Sequence, residues 1–76
     1  IYRETVSLKD QQDFILQQFN NDKILSLKNL LKKLETKLEI IVTFLALLEM
    51  IKRSEIICSQ KESFEDIEIK LIIAEA

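Results

Sequence analysis

The sequence contains no histidine and no glycine, and only one cysteine, Cys58. Each absence removes a class of chemistry. Without histidine the usual general base is missing, and no imidazole can activate a serine or cysteine nucleophile. Without glycine, phosphate-cradling loops of the P-loop or Rossmann kind cannot be built in their usual form. A lone cysteine cannot close an internal disulfide or, with no histidine to join it, supply a metal site. Its expected place is as a small buried hydrophobe in a strand, and so thiol-poor a chain suits a reducing compartment such as the cytoplasm. The carboxylates of Glu65, Asp66 and Glu68 sit in an alternating segment, where neighbouring charges read as a solvated strand face. The expectation is a non-enzyme with no cofactor, no metal and no small-molecule substrate.

Long hydrophobic runs are also lacking. The longest stretch without a charge, Ile40 to Leu48, is broken by Thr43 and falls well short of the roughly 18 residues a membrane span needs. Arg3 and Glu4 come at once with no apolar region behind them, unlike a signal peptide. Opening on Ile1 rather than Met is expected of a piece of something longer.

What remains is one small domain. Seventy-six residues support a single core, and 47% apolar with 32% charged residues is ordinary for a globular chain. A formal net charge of −2 gives no general pull towards nucleic acid.

Three segments open with helix-start signals. Ser7 precedes Asp10 by three, close to a capping box, and Leu8, Ile15 and Phe19 with Phe14 and Leu16 fit a first helix ending near Asn20-Asn21-Asp22. The apolar pair Ile24-Leu25 leads into Ser26, which can cap a second helix, Leu27 to Leu34, with Leu27, Leu30, Leu31 and Leu34 inward. Thr36 and Glu39 form a full capping box for a third helix from Leu38 to about Arg53. After Ser54 the period changes. Ile56, Cys58 and Gln60 alternate with Glu55, Ile57 and Ser59, suiting a strand with one face on the core. Lys61-Glu62-Ser63 reads as a turn, and Asp66 to Leu71 is a strict polar/apolar alternation. Helix, short strand, helix, helix, strand, turn, strand is the order of a winged helix. The expected architecture is therefore α+β: a three-helix bundle with a small antiparallel β-wing over residues 7–71, between an N-terminal extension (1–6) and a C-terminal tail (72–76).

The third helix is unusual. IVTFLALLEMI, Ile41 to Ile51, has only Thr43 and Glu49 as polar members. On a wheel of roughly 100° per residue, Glu39, Thr43, Ala46 and Arg53 share an arc of about 80°, the expected solvent side. Ile40, Phe44, Leu47 and Ile51 lie towards one edge of the apolar surface, and Ile41, Leu45 and Leu48 towards the other. That surface spans about 160° before Leu38 and Val42 widen it, against a little over 100° for an ordinary core-facing helix. The excess points to a contact with another protein.

A DNA-binding winged helix, as in a transcription regulator, is the other reading of this element order. Its third helix would aim Arg, Lys, Asn or Gln at base edges. Here only Lys52 and Arg53 stand at the far end, offset by Glu39 and Glu49. From Glu55 to Ala76 there are six acids against two lysines, which would repel phosphate. The basic cluster, Lys28, Lys32, Lys33 and Lys37, reads more readily as a solvated face than as a phosphate patch.

Two words in the chain carry a resemblance. Val42-Thr43-Phe44-Leu45-Ala46-Leu47-Leu48-Glu49-Met50, and then Ser59-Gln60-Lys61-Glu62-Ser63-Phe64-Glu65-Asp66-Ile67, resemble the C-terminal domain of the prokaryotic kleisin family of segregation and condensation protein A. There the pattern is a TFLALLEL helix followed by a strand ending in QEEPFGDI. The similarity covers roughly Thr36 to Ile69 with these words, and Met50 is the one difference in the first. It extends more loosely to Arg3-Glu4-Thr5-Val6-Ser7 and Ser26 to Leu31. In the second word Lys61 stands for an acid, Ser63 for proline and Glu65 for glycine. If that glycine takes positive φ, Glu65 is strained or the turn changes type.

The resemblance implies a non-catalytic winged helix that docks on the ATPase head of an SMC protein and closes the ring used in chromosome condensation and segregation. It implies contacts to other condensin subunits through the rest of the kleisin, DNA reached only through the complex, and a cytoplasmic, nucleoid-associated location. Carried over by position, the SMC contact falls on Leu38, Ile41, Val42, Phe44, Leu45, Leu48 and Glu49 of the third helix and on Gln60 and Phe64 of the wing. At Phe44 core packing competes with that role.

Overall fold

Three side-chain caps start the three helices. In the computed structural model, which describes residues 6–19, 21–60 and 66–72, Ser7 Oγ accepts the Asp10 N–H at 3.0 Å and opens α1, Leu8–Gln17. Ser26 Oγ accepts the Asn29 N–H at 3.2 Å and opens α2, Leu27–Lys32. Thr36 Oγ1 accepts the Glu39 N–H at 3.1 Å while Glu39 Oε1 accepts the Thr36 N–H at 2.9 Å, a complete capping box for α3, Lys37–Lys52. Each cap satisfies donors that a helix start leaves unpaired. The strands are β1, Ile24–Ser26, β2, Ile56–Gln60, and β3, Ile67–Leu71.

The sheet is antiparallel with β3 in the middle, in the order β1-β3-β2. Leu25 and Cys58 both stand opposite Ile69, so these three share the face turned towards the helices. Ile15 of α1, Leu30 of α2, Ala46, Leu47 and Met50 of α3, and Leu25, Ile56 and Ile69 of the sheet form the core, with Phe14, Phe19, Leu27 and Leu71 packed against it. This α+β arrangement of three helices and a three-stranded sheet matches the expected winged helix; the wing turn, with Lys61, Ser63, Phe64 and Glu65, lies outside the described residues.

Asp66 ties the sheet to the bundle. Its carboxylate accepts the Lys28 N–H at 3.1 Å and a hydrogen bond from the Ser26 hydroxyl, placing a negative charge at the start of α2 as β3 begins. With no glycine available, left-handed backbone positions among the described residues fall to others, Lys23 at φ 60° and Ser54 at φ 62°. Ser54 ends α3: its N–H donates to the Ile51 carbonyl at 2.9 Å, and the Glu55 N–H donates to Met50 at 2.8 Å. This is a Schellman pair, with serine where glycine is usual.

Several boundaries and faces differ from expectation. The first helix stops at Gln17, where the Gln18 N–H turns to the Ile15 carbonyl, short of the Asn20 cluster. Leu8 and Leu16 are exposed, leaving Ile15 as the helix's buried apolar residue. The second helix ends at Lys32, so Leu34 lies beyond it.

The larger correction concerns α3. Thr43 and Ala46, expected in solvent, are both 0% exposed. They form the surface on which α1 packs, and Gln11 Nε2 donates to Thr43 Oγ1 at 2.7 Å inside that contact. Small side chains there let α1 approach closely, and the one buried hydroxyl is matched to one buried amide. Wheel reading puts only the bulkiest residues inward; here Thr43 and Ala46 are inside with Leu47 and Met50.

Candidate functional site

Because α3 turns Thr43, Ala46, Leu47 and Met50 inward, its opposite face is left with large apolar side chains. Leu48 is 61% exposed, Leu45 52% and Ile41 50%, and Leu38, Phe44 and Ile51 are exposed as well. On the helix these six span an arc of about 140°. Lys37 and Lys52 sit at its two ends, both exposed. A helix with apolar residues on both faces has one more hydrophobic surface than its own core uses.

This strip runs into a groove. Phe44, Leu47, Leu48 and Ile51 line it from α3, Cys58, Ile67 and Ile69 from the inner face of the sheet, and Leu27 from the start of α2. The enclosed volume is about 160 Å³, and no lining residue is charged. The register explains the sheet side. Ile67 and Gln60 pair two positions along from Ile69 and Cys58, so the inner face continues past the core towards the wing. Ile56 at one end is buried, whereas Cys58 and Gln60 beyond it are exposed, so the inner face is only partly covered there.

Cys58 is therefore not the buried hydrophobe expected. The residue is exposed overall, yet its thiol is partly enclosed by the apolar groove, and this desolvation pushes its pKa up. That shift disfavours the thiolate, the form in which a cysteine acts as nucleophile or metal ligand. Among the described residues no group of three or more His, Cys, Asp or Glu is placed to hold a metal ion. Among them, too, no helix is long and apolar enough to cross a membrane.

Of the residues expected to meet a partner, the structure brings Phe44 and Leu48 together in the groove. Leu38, Ile41 and Leu45 continue the same helix face outside it. Val42 is half-buried at the margin of this face. Glu49 is half-buried too, and its carboxylate accepts the Arg53 Nε–H at 3.0 Å, which occupies it within the helix. Gln60 is exposed at the wing end of β2, and Phe64 lies outside the described residues. Sequence reasoning missed Leu27, Ile51, Cys58 and Ile67 as lining residues. The signal for Ile67 and Cys58 was present in the alternation of the two strands. What it lacked was the knowledge that the described elements leave both exposed.

The face is unsuited to reading bases. Between Lys37 and Lys52 the exposed side of α3 offers Leu, Ile and Phe and no amide or guanidinium donor.

A family model described as segregation and condensation protein ScpA matches residues 2–72. The chain is similar to "Segregation and condensation protein A" of Clostridium botulinum (strain Eklund 17B / Type B), 36% identical over 70 residues that cover 92% of this chain and 28% of that protein. Proteins of the same name from Clostridium acetobutylicum, 37% identical over 67 residues (88% and 27%), and from Halothermothrix orenii, 36% identical over 72 residues (92% and 30%), match in the same way. The chain thus spans less than a third of the length of these relatives. No solved structure matches it.

Proposed function

Because this chain belongs to the segregation and condensation protein A family, we propose that it is the SMC-docking domain of a non-catalytic kleisin. It binds the ATPase head of an SMC protein and closes a ring used in chromosome condensation and segregation. One observation carries this reading: the outer face of α3 is a continuous apolar strip, uncovered by the chain's own core, that runs into an uncharged groove against the sheet. Surfaces of this kind on small domains are protein contacts far more often than small-molecule sites.

The contact is assigned to Leu38, Ile41, Val42, Phe44, Leu45 and Leu48 on α3, with Glu49 at its margin and Gln60 and Phe64 from the wing. Ile51, Cys58 and Ile67 join it as the groove's other walls. Leu45 and Leu48 are the anchors, since they are the most exposed and lose most water contact on docking. The domain needs no cofactor. Other condensin subunits meet the protein outside this chain, DNA is engaged through the assembled complex, and the protein works in the cytoplasm on the nucleoid.

The test is co-elution of the domain with a purified SMC head from the same organism in size-exclusion chromatography. Leu45→Arg and Leu48→Glu are expected to abolish co-elution while leaving the far-UV circular dichroism unchanged. If Leu45→Arg folds and still binds, the face is wrong.

A further inference from the structure

Among the described residues the sheet has an open edge beside the α3 strip: since β3 occupies the centre, β2 pairs on one side only. The Ile72 N–H donates to the Glu55 carbonyl at 2.9 Å, which fixes the phase of the ladder. Ile57 and Ser59 turn their N–H and C=O groups, and Glu55 its C=O, towards β3, so Ile56, Cys58 and Gln60 turn theirs outward. Natural edge strands are commonly guarded by charge, proline or a bulge. This one, IICSQ, carries no charge and no proline, and its five pairings with β3 run without a bulge.

We propose that β2 pairs antiparallel with β2 of a second copy of this chain, about a two-fold axis through Cys58. Ile56 then meets Gln60 of the second copy, Ile57 meets Ser59, and Cys58 meets Cys58. No like charges face one another across the axis, because the five residues are neutral. The phase is self-consistent: residues 56, 58 and 60 of both copies direct their N–H and C=O groups into the new ladder.

A second copy fits better than a lone peptide strand for a geometric reason. An antiparallel two-fold pair keeps both inner faces on the same side of one continuous sheet. The two α3 helices therefore lie on that side as neighbours across the joined β2 strands, and Phe44, Leu48 and Ile51 of each are covered together with the edge. A peptide would fill the edge and leave the helix face bare. The inference does not rest on the SMC reading. It uses part of the same surface, so a free domain pairs with itself where the SMC head would otherwise bind.

The experiment is sedimentation equilibrium of the 76-residue chain over a concentration series, with two variants that separate the edge from the fold. Wild type is expected to approach twice its 8.9 kDa mass, and a short bismaleimide is expected to link Cys58 to Cys58. Cys58→Pro removes an outward N–H and leaves the β2–β3 ladder intact, so it is expected to keep its circular dichroism and sediment as a monomer. Cys58→Lys gives the same readout without a backbone demand, by placing two positive charges across the axis. A wild type that stays monomeric throughout the series overturns the proposal, as does a folded Cys58→Lys that still dimerises. Co-elution with an SMC head is read separately, so failure of one idea leaves the other standing.

Discussion

Replacing Thr43 with valine tests the orientation of α3 more sharply than any change on its outer face. Thr43 is fully buried and accepts the Gln11 amide at 2.7 Å, and Gln11 is itself 9% exposed. Valine keeps the shape but deletes the acceptor, leaving a buried N–H without its partner at a cost of about 1–3 kcal/mol. The added methyl returns about 0.8 kcal/mol of apolar burial at most. The net loss is therefore about 0.2–2.2 kcal/mol, from a total of about 4–11 kcal/mol for a domain of this size. In a thermal melt this corresponds to a fall in midpoint of about 1–18 °C. The companion variant Leu48→Glu exchanges an exposed residue between two good helix formers and is expected to shift stability by about 0.5 kcal/mol or less. Gln11→Leu added to Thr43→Val removes both polar partners and is expected to recover part of the loss. A neutral Thr43→Val beside a strongly destabilising Leu48→Glu would mean that α3 is rotated and that the groove described here does not exist.

Three further outcomes follow from local geometry. Ser54→Gly is expected to raise the melting midpoint, because a left-handed conformation at φ 62° costs a non-glycine residue about 1–2 kcal/mol; a lower midpoint would refute the strain. Asp66→Ala is expected to destabilise by about 0.5–2 kcal/mol, since it removes the carboxylate acceptor that meets the Lys28 N–H and the Ser26 hydroxyl at the start of α2, and urea unfolding measures it. Hydrogen bonds from the Glu35 and Thr36 backbone N–H groups hold the Glu39 carboxyl below its ordinary pKa. A depressed folded pKa contributes stability that is complete above the unfolded glutamate value of about 4.3 and is lost as pH falls through the folded one. Glu39→Gln is expected to flatten the acid limb of the stability curve below that pH, and an unchanged limb would assign the loss to other carboxylates.

Much of this molecule was legible because its signals are local. Ser7, Ser26 and Thr36 cap the helices that their neighbours announce, and the alternation after Ser54 gives both later strands. The phase of α3 was not legible, for a physical reason. A wheel finds the buried side by contrast, and a helix that serves a core on one side and a partner on the other has almost none. Thr43 and Ala46 then look like the polar side when they are the contact with α1. Cys58 and Gln60 show the same limit in the sheet. Alternation placed them on the inner face with Ile56, but whether a face is covered depends on elements far away in the chain.

The central place of β3 also sets a timetable for synthesis. Leu25 finds its partner only at Ile69, 44 residues later by the difference of their numbers, and β2 finds its own in the same last strand. A nascent chain made as far as Gln60 holds two short apolar strands with nothing between them, and its sheet begins to form only once Ile67 to Leu71 have left the ribosome. Until then four strand edges are open rather than two, so the sheet closes from its centre and its last-made segment decides whether the domain forms at all.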